Sequence, residues 1–322
     1  MALSNMKVFN EYLKRVTIET LAQDVEKFNA ASAGSIRLTT QGIDGDFLQE
    51  SFWAGLHGAQ RRVDRYAANG AQAATPLAQK QYDSVKIAGG FGPILWEPAQ
   101  LSWVQKNPEE ALEVISRNLS EAIMSDQLNT AIAALVAAIG NQPSATNDVS
   151  ATAGVSYIAI NNAHALFGDA SQRLIAQVMT GAMYHKLLGQ NLANAERLFQ
   201  FSGVQVVDIL GKAVIITDAA ALYEAGTPNK QKVLSLADGA AVVMDGSDLI
   251  TNIQTSNGKE RIETTMQADY TFGLGMKGYT WDTANGGKSP TSAELATGTN
   301  WDLVANSIKA SAGVLTIGDA AQ

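Results

Sequence analysis

Asn107-Pro108-Glu109-Glu110, continued by Leu112, Ile115, Leu119, Ile123, Leu128, Ile132, Leu135, Val136 and Ile139 and closed by Gly140 and Pro143, is the stretch on which the fold turns. Asn can cap a helix, Pro suits the first helical position, and a Glu three residues after the cap can return the bond. The apolar residues then keep helical spacing until Gly and Pro stop the run. The pattern predicts a helix of about 32 residues, roughly 48 Å long at about 1.5 Å per residue. Its acidic first turn suits the positive end of the helix dipole.

Upstream, residues 7 to 28 place Val8, Phe9, Tyr12, Leu13, Val16, Leu21, Val25 and Phe28 at near three- and four-residue spacings, predicting an amphipathic helix. Asn29 to Gly34 is a run of small residues better suited to a movable arm than to a core element. From Ser35 to Val104 the chain is glycine-rich, with Gly42, Gly45, Gly55, Gly58, Gly70, Gly89, Gly90 and Gly92. Ser84 to Ala88 and Pro93 to Val104 alternate loosely like strands, so an extended, partly two-stranded excursion is expected. Downstream, Asn141 to Gly154 reads as a loop. After it come a helix near Ile160 to Phe167, a strand Leu174 to Met179, a helix Gly181 to Leu192, and strands Val204 to Ile209 and Ala213 to Thr217. Beyond Ala237, strand-like runs cover Ala240 to Met244, Leu249 to Ile253, Arg261 to Met266 and Tyr270 to Trp281, with no repeat of solenoid type.

The chain has 322 residues, 46% of them hydrophobic and 17% charged, enough for one elaborate domain or two smaller ones. The longest apolar runs, such as Ala131 to Ile139, fall short of the ~20 residues of a membrane span, so no membrane partner is expected. No apolar h-region or cleavage site follows the N-terminal Met-Ala-Leu-Ser, which argues against a signal peptide. The absence of cysteine excludes disulfides, thiolate nucleophiles and Cys-containing zinc sites. With 23 Lys and Arg against 31 Asp and Glu, a net charge of -8, the chain does not suit affinity built on phosphate neutralisation.

The catalytic motifs all have plainer explanations. Gly273-Leu-Gly275-Met-Lys-Gly278 has the letters of a dinucleotide fingerprint but is followed by Tyr279-Thr-Trp281-Asp282 rather than a helix, so its glycines mark a bend or a close backbone approach. His57, His164 and His185 form no metal-binding spacing, and Gly89-Gly-Phe-Gly92 lacks the Lys-Ser/Thr of a phosphate loop. No cofactor or catalytic set is expected. Arg61, Arg62 and Arg65, broken by Asp64 and followed by Tyr66, form the densest basic cluster. A solvated face accounts for them as well as pairing with carboxylates across an interface does.

The order of parts resembles the Hong Kong 97-type capsid fold of tailed bacteriophages. Asp46-Phe47 through Ser51-Phe52-Trp53 to Arg61-Arg62-Val63-Asp64 is similar to the start of that family's E-loop, and Val85-Lys86 with Gly92-Pro93 to its return. Val178 to Leu188 with Leu210 to Asp218 looks like its axial core, and Leu295 through Trp301 to Leu315 like its C-terminal segment. The resemblance implies an α+β fold divided into an N-terminal arm (1–35), E-loop and flanking strands (36–106), the spine helix of a peripheral domain (107–154), an axial domain (155–235) and closing strands with a C-terminal segment (236–322). It implies a major capsid protein, a non-enzymatic structural protein that self-assembles through pentamers and hexamers into an icosahedral head around double-stranded DNA, built in the host cytoplasm. Its partners are then copies of itself, with separate scaffolding, portal and decoration proteins as further candidates. An encapsulin-like compartment and a soluble α/β enzyme are the rival readings. Trp53, Trp96 and Trp103 are expected as apolar anchors and Arg61, Arg62 and Arg65 as polar contacts at the assembly interface.

Overall fold

The computed structural model describes residues 3–39, 45–53, 59–68, 70–198, 211–246, 248–257, 260 and 262–322. The first helix, α1 (Leu3–Ala31), turns through Ala33 and Gly34, both at positive φ, into strand β1 (Ile36–Thr39). Then come β2 (Phe47–Trp53), β3 (Gln79–Trp96), α2 (Pro98–Lys106), α3 (Pro108–Gly140), β4 (Thr146–Asp148), α4 (Tyr157–Ala165), β5 (Leu174–Met179), α5 (Gly181–Leu198), β6 (Ala213–Ile216) and β7 (Tyr223–Glu224). The remainder is β8 (Lys230–Ala237), β9 (Ala241–Asp245), β10 (Ile250–Ser256), β11 (Glu263–Met276), β12 (Tyr279–Trp281), α6 (Ser292–Leu295), β13 (Trp301–Leu303) and β14 (Gly313–Asp319).

Two sheets result. The first is centred on β11, which pairs antiparallel with β3 along one edge and with β10 and then β9 along the other. β1 adds in parallel to β9, and β12 and β13 follow the turn at Gly278. The second sheet runs β4-β14-β8-β5-β6, with β7 on β8. Its central strands β8 and β14 fall outside every strand expected from the sequence. The C-terminal strand β14 lies beside β4 and β8, so the chain's last segment returns to the sheet of β5 and β6.

Helix α3 joins the sheets. In its first half the buried residues Ala111, Leu119, Ile123 and Gln127 form one stripe, with Glu109, Glu110, Glu113, Arg117 and Glu121 outside. From Ala131 to Ile139 burial is nearly continuous, because this half packs in the same cluster as Leu38, Val243 and Phe272 of the first sheet and Leu234, Leu236 and Leu315 of the second. By length and composition α3 would suit a membrane span, but half of its most apolar window is buried within the protein, the condition of a core helix. The opposite face of the second sheet is covered by α4 and α5, through Ile160, Met183 and Leu187 against Met179 and Val233.

Three local expectations need correction. Asn107 makes no side-chain cap; its backbone N–H instead closes α2 on the Trp103 carbonyl, 2.9 Å away, and α3 starts at Pro108 directly from that turn. The stretch Pro93 to Val104 is not one strand, since β3 ends at Trp96 and Pro98 opens α2. The small-residue run after α1 is not a slack linker: the Asn29 amide accepts from Leu38 N–H at 2.8 Å and donates to Leu38 C=O at 2.7 Å, closing the outer edge of β1. Helix α1 itself is anchored by buried Phe9 and Leu13, while Tyr12 faces out. The expected strand at Val204 to Ile209 lies outside the described residues.

Candidate assembly surfaces

The E-loop expected from the sequence is a two-stranded ribbon with a well-fixed root. β2 pairs antiparallel with the first part of β3, Phe47 opposite Val85 and Trp53 opposite Gln79. The second part of β3 belongs to the first sheet, Val85 to Leu274 through Trp96 to Thr264. Polar contacts tie the root down: Lys80 Nζ donates to Val304 C=O at 2.7 Å, Asp83 N–H to Thr280 Oγ1 at 2.8 Å, and Lys86 Nζ lies 2.9 Å from Asp248 Oδ2. The hydrogen bonds from Lys86 and Thr271 hold the Asp248 carboxyl below its usual pKa. The glycines of the would-be nucleotide motif serve this packing. A Cβ on Gly275 would stand 2.6 Å from Ser84 Oγ, and Gly278 takes a positive φ in the turn to β12.

Beyond the root the described residues of the tip have little intrachain support. The described residues from Gln60 to Ala78 are all exposed and none belongs to a strand or helix. Arg61, Arg62 and Arg65 lie here with Val63, Tyr66 and Leu77, which are 65%, 94% and 50% exposed. Asp64, which separates the arginines in sequence, accepts the Tyr66 N–H at 2.9 Å in a local turn. Among the described residues no carboxylate forms an ion pair with any of the three arginines.

The three tryptophans stand on three different elements. Trp53 ends β2 at the outer limit of the ribbon. Trp103 stands on α2 and is 36% exposed. Trp96, by contrast, is 8% exposed within the subunit's own core, so it is corrected from assembly anchor to core residue: its cross-strand position opposite buried Thr264 turns it inward. Of the exposed apolar residues of the tip, the sequence marks Tyr66 and Val63 only as neighbours of the arginines and Leu77 by nothing but its small-residue surroundings.

Among the described residues the titrating groups elsewhere do not converge on a reactive pocket. His164, on the buried side of α4, lies 2.9 Å from Ser235 Oγ, and burial together with the nearby Lys212 charge lowers its pKa to about 4. His185 packs edge-on to Tyr184, and His57 lies outside the described residues. Burial raises the Tyr279 phenol to about 12. Burial and the hydrogen bond to Asp126, 2.5 Å, push Tyr270 further up. A groove of about 710 Å³ beside the ribbon is lined by Arg37, Tyr82, Asp238, Lys277 and Val304, but Arg37 is bound to Asp238 at 2.7 Å and Lys277 to the Asp238 carbonyl at 2.9 Å. Among the described residues no group of three acidic or histidine side chains is placed to hold a metal ion.

A ribbon projecting from a β-sheet unit, a long helix joining that unit to a second sheet, and an α/β layer on the far side define a capsid subunit of the Hong Kong 97 type. The chain is similar over 89% of its length to 88% of a chain of the cyanophage Pam1 capsid asymmetric unit, with a TM-score of 0.52 at 13% identity. Lower-scoring likenesses include the capsid of Helicobacter pylori bacteriophage KHP30 (TM-score 0.47, 9% identity, 89% of this chain and 88% of that one) and that of cyanophage P-SCSP1u (0.43, 14%, 76% and 84%). No curated protein sequence matches the chain. The chain belongs to the major capsid protein 13-like family, whose model matches residues 5–315. It is a phage coat protein, a component of the virion that assembles with copies of itself into the icosahedral head.

Proposed function

We propose that this coat protein builds the head through pentamers and hexamers around double-stranded DNA, in the host cytoplasm, and has no catalytic activity of its own. The observation that carries the reading is the ribbon tip: Arg61, Arg62 and Arg65, which have no ion-pair partner among the described residues, and exposed Val63, Tyr66 and Leu77, on a segment that pairs with no described strand. Unsupported ribbons are marginal in water, and a closed shell gives each copy a neighbour to pack against. Arg61, Arg62, Arg65, Trp53 and Trp103 are the contacts assigned to that interface; Trp96 is left to the core. With a net charge of -8, the shell encloses DNA rather than gripping it in a sequence-selective way. Scaffolding, portal and decoration proteins would join as separate chains.

The test replaces Arg61, Arg62 and Arg65 together with alanine. Because all three are exposed, each should alter subunit stability by no more than about 0.5 kcal/mol. Shell yield, followed by light scattering and electron microscopy, should fall sharply. Undiminished assembly of the triple variant would remove the tip from the interface.

A further inference from the structure

Edge strands template pairing with other chains unless a charge, a proline, a bulge or a covering element blocks them. The outer edge of β1 is closed by the Asn29 amide, and β2 carries Glu50 at its centre. β10 lacks the charge, the proline and the bulge. Its sequence Ile250-Thr-Asn-Ile-Gln-Thr-Ser256 holds no charge and no proline, and it pairs with β11 over all seven residues without a register shift. Among the described residues its start is covered by α1, where Asn10 Nδ2 donates to the Thr251 carbonyl at 2.7 Å.

Two observations fix which groups face outward. Along an antiparallel strand, one residue's N–H and C=O point to the same side, and successive residues alternate. Because the Thr251 carbonyl faces Asn10, the backbone groups of Ile253 and Thr255 face away from β11 as well. The Thr255 and Thr264 hydroxyls lie 3.2 Å apart across the strands, as suits a pair whose side chains approach closely because they share no backbone bonds.

We propose that this edge is completed by β-strand addition from a second copy of the chain, through its exposed segment Ala71-Gln-Ala-Ala-Thr-Pro-Leu-Ala78. That segment is uncharged and exposed at every position, and no described residue pairs with it. Eight residues exceed the length that Asn252 to Ser256 can engage. Pro76 disfavours helical geometry at Thr75 and has no N–H of its own. It must therefore point away from β10, which turns the backbone groups of Thr75 and Leu77 toward Ile253 and Thr255. Main-chain bonds of this kind tolerate a neutral, small-residue partner.

The inference rests on the self-assembly reading, and the chain's lack of cysteine provides a clean test. Thr255→Cys is combined with Thr75→Cys in one variant and with Leu77→Cys in another, and shells are purified from expressing cells and oxidised. One of the two should give reducible covalent multimers, because paired strands bring Cα atoms within about 5.5 Å, inside disulfide range. In the unaltered protein the amides of Ile253 and Thr255 should exchange at least about ten-fold more slowly in shells than in free subunits. Shells that form normally yet contain only monomeric chains, with equally fast exchange at both amides, would overturn the strand addition alone. Failure of the unaltered chain to form shells would overturn the assembly reading and this inference with it.

Discussion

His164 should make the unassembled subunit acid-sensitive well above the range in which carboxylates titrate. The imidazole is 7% exposed, its Nε2 lies 2.9 Å from Ser235 Oγ, and Lys212 adds an unfavourable charge nearby. Its folded pKa of about 4 lies below the ordinary 6.5, so between these values the unfolded chain holds a proton that the folded chain does not. The stability tied to the neutral ring is therefore complete above pH 6.5 and is lost as the pH falls toward 4. At about 1.4 kcal/mol per unit the whole shift is worth roughly 3 kcal/mol, a large fraction of an ordinary domain's stability. Asp148 and Glu224, whose pKa values are lowered by neighbouring hydrogen bonds and lysines, lose their contributions only at lower pH. Urea unfolding of the free subunit from about pH 7 to about pH 4.5 should show the slope, and His164→Gln, which keeps a polar partner for Ser235 but cannot titrate there, should flatten it. An unchanged slope in the Gln variant would refute the assignment of the proton to His164.

Three other outcomes follow from particular contacts. Gly89→Ala should destabilise the subunit by about 1–3 kcal/mol in urea unfolding, since its Cβ would stand 2.7 Å from the Tyr270 ring, which Asp126 and the stacked Phe91 hold in place. Trp301→Ala should cost about 3–5 kcal/mol by the same assay, because the ring is 1% exposed, lies edge-on to Trp281 at 4.7 Å and donates its Nε1–H to Leu295 C=O. Binding of free duplex DNA should be weak and insensitive to sequence in a titration at physiological salt, given the net charge of -8.

The parts of the fold legible in the sequence are those with a single clear period or a sharp boundary. Helix α3 and strand β5 begin and end within a residue of their expected limits, the first by Pro108 and Gly140, the second by its compact apolar run. β8 and β14 were invisible for the opposite reason. Each is buried on both faces, by α3 on one side and α4 and α5 on the other, so neither alternates, and the Lys-Gln-Lys start of β8 and the flanking glycines of β14 read as loop. Helix α2 was hidden because Leu101 and Trp103 continue the alternation of β3; the signal that separates them is Glu97-Pro98 with Gln100, whose Oε1 accepts the Glu97 N–H at 3.0 Å.

The proposed assembly surface is marked in composition but not in partition. A tryptophan reads the same whether it serves a core or an interface, and only the register of β3 on β11 separates Trp96 from Trp103. The same register explains why the subunit can keep its own stability apart from its contacts. Everything up to Gln79 and Trp53 is held by ladder bonds, by Lys80 and Asp83, and by the close approach at Gly275. Past that line the described residues are exposed and join no strand, so on the proposed reading the entropy of ordering the tip is lost when a neighbour receives it. Substitutions at the tip should therefore act on assembly and leave subunit melting nearly unchanged, while substitutions at Gly89 or Trp301 should do the reverse: they weaken the fold first and the shell as a consequence.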